Sequence, residues 1–154
     1  MRRALARLLG RRPVELSVPV PWALLDVLRE GPAPLAGGGA IDGPLRVGIV
    51  VPAFRRGSGG HRTIADLVRG LEARGHECSL WVADDEGRHA GESPEATRGS
   101  FVEFFGPVRA PVRVGVGAWQ GADVALATGW QTVPPVLRLG GARARAYLVQ
   151  DHEP

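Results

Sequence analysis

Lysine does not occur in this chain: all 19 basic residues are arginine. A P-loop nucleotide triphosphatase needs a lysine to reach the terminal phosphates, so that mechanism is excluded. The chain has one cysteine, Cys78, which rules out an internal disulfide framework and any cysteine-based zinc cluster. Cys78 lies in an apolar stretch and reads as a core residue. Long hydrophobic runs are also missing. The longest uncharged apolar stretch, Val124 to Leu137, has fourteen residues and two prolines, short of the roughly 18 to 20 residues that a spanning helix requires.

Basic residues outnumber acidic ones, 19 to 16, but their distribution matters more than the sequence pI near 10.3. Arg2, Arg3, Arg7, Arg11 and Arg12 lie in the first twelve residues, and removing those five from the net charge of +3 leaves the rest at about −2. No basic stripe of the kind that reads nucleic acid remains, so no nucleic-acid partner is expected. The arginine-rich start has an apolar core too short for a secretory signal and lacks the serines of a transit peptide. The chain therefore reads as cytoplasmic. Leu5, Leu8 and Leu9 among those arginines could make a surface contact with an anionic membrane at its inner face. A solvated extension is the plainer reading of the same residues.

Residues 1–44, the arginine cluster followed by the Pro/Gly/Ala-rich stretch GPAPLAGGGAIDGP, read as an extension, and residues 45–154 as one domain. Leu45 to Val51 is a nearly continuous apolar run between Pro44 and Pro52, as expected of a central parallel strand covered on both faces. Ile64, Leu67, Val68 and Leu71 recur with helical spacing, and Gly75 is placed to stop that helix. Ser79 to Val82 give a second strand, and Asp84 to Glu92 a polar loop. Ser93 with Pro94 signals a helix start, although Gly99 predicts a short helix packed through Phe101, Phe104 and Phe105. Val112, Val114 and Val116 alternate as a strand. Asp123 to Thr128 reads as a buried strand, Gln131 to Leu139 as a helix with Pro134 and Pro135 in its first turn, and Ala146 to Gln150 as the fifth strand. This alternation predicts an α/β fold: a Rossmann-like open parallel sheet with helices on both faces.

In such a sheet, ligands bind outside the carboxyl ends of the strands. Two segments fall there. The loop Ala53 to His61 carries Gly57, Gly59 and Gly60 at the amino end of a helix, where unpaired amides favour an anion and His61 and Arg62 flank it. The same glycines could simply turn the chain. A dinucleotide fingerprint would need a glycine at position 62, where Arg62 stands, although Asp84 keeps an acidic residue in the region that reads a ribose. The second segment, Gln150-Asp151-His152-Glu153, follows the predicted fifth strand and could hydrogen-bond a hydroxyl-rich ligand, or it could be a solvated end. No metal site is expected, because His152 and Glu153 have no second ligand pair.

The segments VGIVVPAFRRGSGGHRTIADLVRGLEARGHECSLWV, DVALATGWQTVPPVL and ARAYLVQDHEP, in that order, resemble the amino-terminal domain of retaining GT-B glycosyltransferases. More narrowly, they are similar to bacterial rhamnosyltransferases of surface-polysaccharide and S-layer glycan assembly, of the glycosyltransferase family 4 type. The resemblance implies the acceptor-side half of a two-domain enzyme that moves a sugar such as L-rhamnose from a nucleotide-diphosphate donor to a growing glycan or lipid-linked acceptor. The nucleotide sugar would be a co-substrate, with no further cofactor, and the carboxyl-terminal donor domain would be missing from this chain. By position, Gly59, Gly60 and Thr63 match the family's glycine loop, Trp130 the turn after strand four, and Gln150, Asp151 and Glu153 the end of strand five. His152 stands where relatives often carry an aromatic residue and is given no role. The alternative is a Rossmann-like nucleotide- or anion-binding domain with no chemistry of its own.

Overall fold

The computed structural model describes Arg29 and residues 42–150. Five strands, β1 (Arg46–Pro52), β2 (Glu77–Ala83), β3 (Val112–Val114), β4 (Ala122–Ala127) and β5 (Ala142–Tyr147), form one sheet in the order β3-β2-β1-β4-β5. Every pairing is parallel. Three α-helices connect them: α1 (Gly59–Ala73), α2 (Pro94–Phe105) and α3 (Val133–Arg138), the last preceded by a 3-10 turn at Trp130–Thr132. This is a Rossmann-like α/β fold. The arginine cluster and most of the Pro/Gly-rich stretch lie outside the described residues.

The period-two alternation of β1 feeds two cores. Val47, Ile49 and Val51 pack with Ile64, Ala65 and Val68 of α1 and Phe101 and Phe105 of α2 on one face. Val50 joins Trp81, Ala125, Ala127 and Val136 of α3 on the other. On this second face the indole of Trp119 lies against the backbone of Gly48, where a Cβ would sit 2.3 Å from a ring carbon. Trp119 also meets Trp81 edge to face at 5.4 Å and donates its indole N–H to the Gly140 carbonyl at 2.8 Å. Gly48 is thus a seat for an aromatic ring.

Helix ends follow local signals. At the end of α1, Gly75 takes φ 86°, and the amides of Gly75 and His76 return to the carbonyls of Glu72 and Leu71. That pattern is a Schellman close. Ser93 caps α2 by accepting from the Ala96 amide at 3.2 Å, with Pro94 at the first helical position. Cys78 is buried in β2, and burial pushes its thiol up to about 11. Glu72 is the buried acid of α1: its carboxylate accepts from the amides of Arg109 and Ala110 at 3.0 and 2.7 Å, tying the approach to β3 onto the helix.

Three expectations are corrected. The fifth strand is Ala142–Tyr147, not Ala146 to Gln150. The apolar letters Ala146 to Val149 suggested the strand, but β5 is an edge strand whose place is set by pairing with β4, from Ala122 opposite Ala142 to Ala127 opposite Tyr147. Helix α2 runs twelve residues through Gly99, because Thr97, Phe101 and Phe105 recur at helical spacing and are all buried. Their packing outweighs the cost of one glycine, about 1 kcal/mol. β3 stops at Val114, and only the Gly115 amide, bonded to the Val82 carbonyl at 2.8 Å, continues the ladder toward Val116. Among the described residues no helix is long and apolar enough to cross a membrane.

Gly48→Ala should cost about 1–3 kcal/mol by overpacking against the Trp119 ring. That corresponds to a fall in thermal midpoint of roughly 4–8 °C per kcal/mol. In a double-mutant cycle with Trp119→Ala, the two losses should be strongly non-additive; additive losses would show that the ring does not rest on Gly48.

Candidate functional site

The chain visits β1, β2 and β3 on one side and then returns to place β4 on the other side of β1. The carboxyl ends of β1 and β4 therefore flank the crevice where an open α/β sheet binds its ligands. Its first wall is the loop from Pro52 to Ser58. Phe54 anchors this loop, being 1% exposed, with its ring 4.2 Å from His89, 5.3 Å from Phe101 and 5.9 Å from Phe105. Gly57, at φ 84°, then turns the chain into α1. Gly59 and Gly60 have no such left-handed geometry. Their use is the room they leave: nothing stands near a Cβ at Gly59, and at Gly60 a Cβ would meet Gln150 Oε1 at 3.3 Å.

The second wall begins where β4 ends. Thr128 donates its hydroxyl to the Val50 carbonyl at 2.9 Å, bridging β4 to β1. The buried Thr132 hydroxyl accepts from the amides of Thr128 and Gly129 at 3.0 and 3.2 Å and donates to the Gly129 carbonyl at 2.8 Å. These bonds fix the turn that carries Trp130, whose side chain is left 42% exposed. Gln150 closes the constellation: its Nε2 donates to the Thr128 carbonyl at 3.2 Å while its Oε1 faces Gly60. The fold thus joins Gly60, the turn of Thr128 to Trp130, and Gln150. Thr63 is exposed on α1 and spends its hydroxyl on the Gly59 carbonyl at 3.3 Å. Asp151, His152 and Glu153 lie outside the described residues.

Two histidines line the loop in opposite tautomers. A carbonyl only accepts, so His61 Nε2, 3.1 Å from the Pro52 oxygen, carries the proton, and Nδ1 accepts from the Ser58 hydroxyl at 2.7 Å. His89 is the reverse: Nε2 accepts from the Phe54 amide at 3.3 Å, which puts the proton on Nδ1, toward Glu92 at 3.3 Å. His61 is buried, and desolvation pushes its pKa below 6.5, helped by the nearby His89 and opposed by the Pro52 carbonyl. Its ring packs inward against Phe54 and Phe105, with Nδ1 reaching the loop at Ser58, whereas Arg62 is exposed and pairs with Asp66 at 3.8 Å. Asp84 accepts from the amides of Arg88 and His89, both at 2.8 Å, so its carboxylate holds the loop and is not poised for a ribose. Sequence reasoning missed His89, Thr128 and Thr132: His89 is one of many polar residues in the Asp84–Glu92 loop, and the threonines stand at the edges of apolar stretches, so no local signal singled them out.

A cavity of about 810 Å³ opens at the opposite, amino-terminal edge of the sheet, beside Arg46, Glu72, Trp81, Arg109 and Arg113. Its charges are largely used internally. Arg46 pairs with Asp123, Arg109 with Glu72, and Arg113 lies over the Trp81 ring at 5.3 Å. The crevice at the carboxyl ends is the better candidate, because there Trp130 is exposed and the space beside Gly59 at the start of α1 is open. Among the described residues, no group of three His, Cys, Asp or Glu side chains could hold a metal ion. No protein-family model, curated protein or solved structure matches this chain.

Because His61 has a lower pKa folded than unfolded, the unfolded state binds more protons as the pH drops through about 6.5. The stability associated with neutral His61 is present above that pH and lost below it. Thermal melts from about pH 8 to about pH 5 should show a falling midpoint, with a shallower fall in His61→Asn. Equal slopes in the two proteins would remove His61 as the source.

Proposed function

We propose that this chain is the acceptor-side half of a GT-B type glycosyltransferase, of the rhamnosyltransferase kind, acting between a nucleotide-diphosphate sugar and a growing glycan or lipid-linked acceptor. The observation that carries the reading is the meeting of Gly60, Gln150 and the Thr128 carbonyl at the crevice between β1 and β4, on the turn that carries Trp130. Each offers something a sugar or its diphosphate needs. The leading amides of α1, unobstructed at Gly59, present partial positive charge to an anion. The Gln150 side chain both donates and accepts, as hydroxyl recognition requires. The exposed indole of Trp130 is a flat apolar face with a polar edge, suited to the face of a sugar ring.

Asp151 and Glu153 belong to the same proposal through their place after Gln150, and the amino-terminal arginines through their fit to an anionic membrane surface near a lipid-linked acceptor. The described residues form one Rossmann-like unit, and a GT-B cleft is made by two. Holding both substrates across such a cleft is worth on the order of 7–11 kcal/mol. The chain by itself should therefore bind weakly and transfer nothing.

Saturation-transfer NMR of the purified chain with millimolar nucleotide sugars should show contact, weakened in both Gly60→Val and Gln150→Ala. At Gly60 the added side chain meets only the movable end of Gln150, so the thermal midpoint should shift by less than about 4 °C. A radiolabelled transfer assay with the same donors and a lipid-linked acceptor should give no product. Turnover by the chain alone would overturn the half-enzyme reading. Contact unchanged in both variants would remove this crevice as the site, and nucleotide binding with no preference for the sugar would favour a plain nucleotide-binding domain.

A further inference from the structure

A serine at a helix N-cap ordinarily turns its hydroxyl onto an amide of its own first turn. Ser58 occupies that position in α1 and makes no such bond. Its Oγ lies 2.7 Å from His61 Nδ1 instead, and the far nitrogen of that ring is anchored 3.1 Å from the Pro52 carbonyl. The anchor fixes the tautomer, so the lone pair of Nδ1 takes the serine proton. The ring cannot swing away, because it is stacked on Phe105 at 5.6 Å and packed against Phe54 at 6.0 Å. A hydroxyl, an imidazole that accepts its proton and a carbonyl that orients the imidazole are the parts of an activated serine.

We propose that Ser58 is a nucleophile and His61 its general base, giving the crevice an acyl-transfer activity toward small activated esters, separate from any sugar transfer. Ser58 is half-buried, and the two residues that follow it, Gly59 and Gly60, put no side chain between their amides and an incoming carbonyl. In the first step Ser58 Oγ forms a bond to the acyl carbon, its proton passes to His61 Nδ1, and the developing oxyanion is received by the leading amides of α1. Cleavage of the ester C–O bond returns that proton to the leaving alkoxide. Water then attacks the acyl-serine with His61 again accepting the proton, the acid leaves, and Ser58 is restored.

The groups bearing on the His61 ring are Ser58 and the Pro52 carbonyl at its two nitrogens, Phe54 and Phe105 against it, and His89 beyond Phe54. The test is labelling of the full chain with an alkyl fluorophosphonate, in which Oγ bonds to phosphorus, fluoride leaves and the proton goes to His61. Mass spectrometry should locate one adduct on the peptide containing Ser58, absent in Ser58→Ala. General-base assistance contributes about 10²–10⁴-fold, so labelling of His61→Asn should be at least about a hundredfold slower. Should His61→Asn fail to fold, the rate on the unaltered chain decides: it should fall as the pH drops below about 6.5 and His61 is protonated. An unlabelled Ser58 in folded protein, labelling of folded His61→Asn at the unaltered rate, or a flat pH profile would each overturn the proposal.

Discussion

The Phe54 ring, inserted where β1 ends, is the contact on which the carboxyl edge of this sheet depends. It meets Phe101, Phe104 and Phe105 edge to face and touches both buried histidines. Aromatic pairs of this kind contribute about 0.5–1.5 kcal/mol each beyond the area they bury. Here they also join elements that no sheet hydrogen bond connects: the β1–α1 loop, the Asp84–Glu92 loop and α2. The same residue supplies the amide that fixes the tautomer of His89, and Pro52, two residues before it, supplies the carbonyl that fixes His61. The loop that this ring anchors therefore carries the backbone groups that orient both histidines.

The crevice combines that rigid wall with one held by hydroxyls. The Thr132 hydroxyl holds the amides of Thr128 and Gly129 and the Gly129 carbonyl in the turn after β4, and Thr128 reaches across to the Val50 carbonyl. A buried polar group left unpaired costs about 1–3 kcal/mol, so these bonds specify the turn closely. Gln150 then spans from one wall to the other without a covalent link, touching the Thr128 carbonyl and the space above Gly60. Gln150 and the Trp130 indole are the exposed side chains of these walls.

Much of this was legible in the sequence where the signal is local. The apolar run of β1, the spacing of Ile64, Val68 and Leu71, the stop at Gly75 and the Ser93-Pro94 start all depend on neighbours within a few residues, and the structure has them. The fifth strand was misplaced because its letters, Ala142 to Tyr147, carry two arginines and little apolar alternation, while pairing with β4 is what selects them. In the candidate site, Gly60 and Gln150 were named through their family-like segments, and the fold brings them together. Thr63 was named on the same basis and turned its hydroxyl onto its own helix. His61 was read as flanking the loop; its stacking on Phe105, far along the chain, is a contact that no periodicity reports.

The two borders of the sheet carry a consequence for behaviour at high concentration. A parallel sheet with open borders exposes rows of amides and carbonyls that invite another chain to add as a further strand, the route to fibrous aggregates. β3 offers only three residues, too few to template a partner. β5 is twice as long, and it sets Arg143 and Arg145 along its length, with Arg143 exposed and Arg145 folded back onto the carbonyls of Val136 and Leu139. A second copy approaching that border would bring like charges together. Among the described residues, brevity on one side and guanidinium charge on the other thus work against the addition of a further strand to the five.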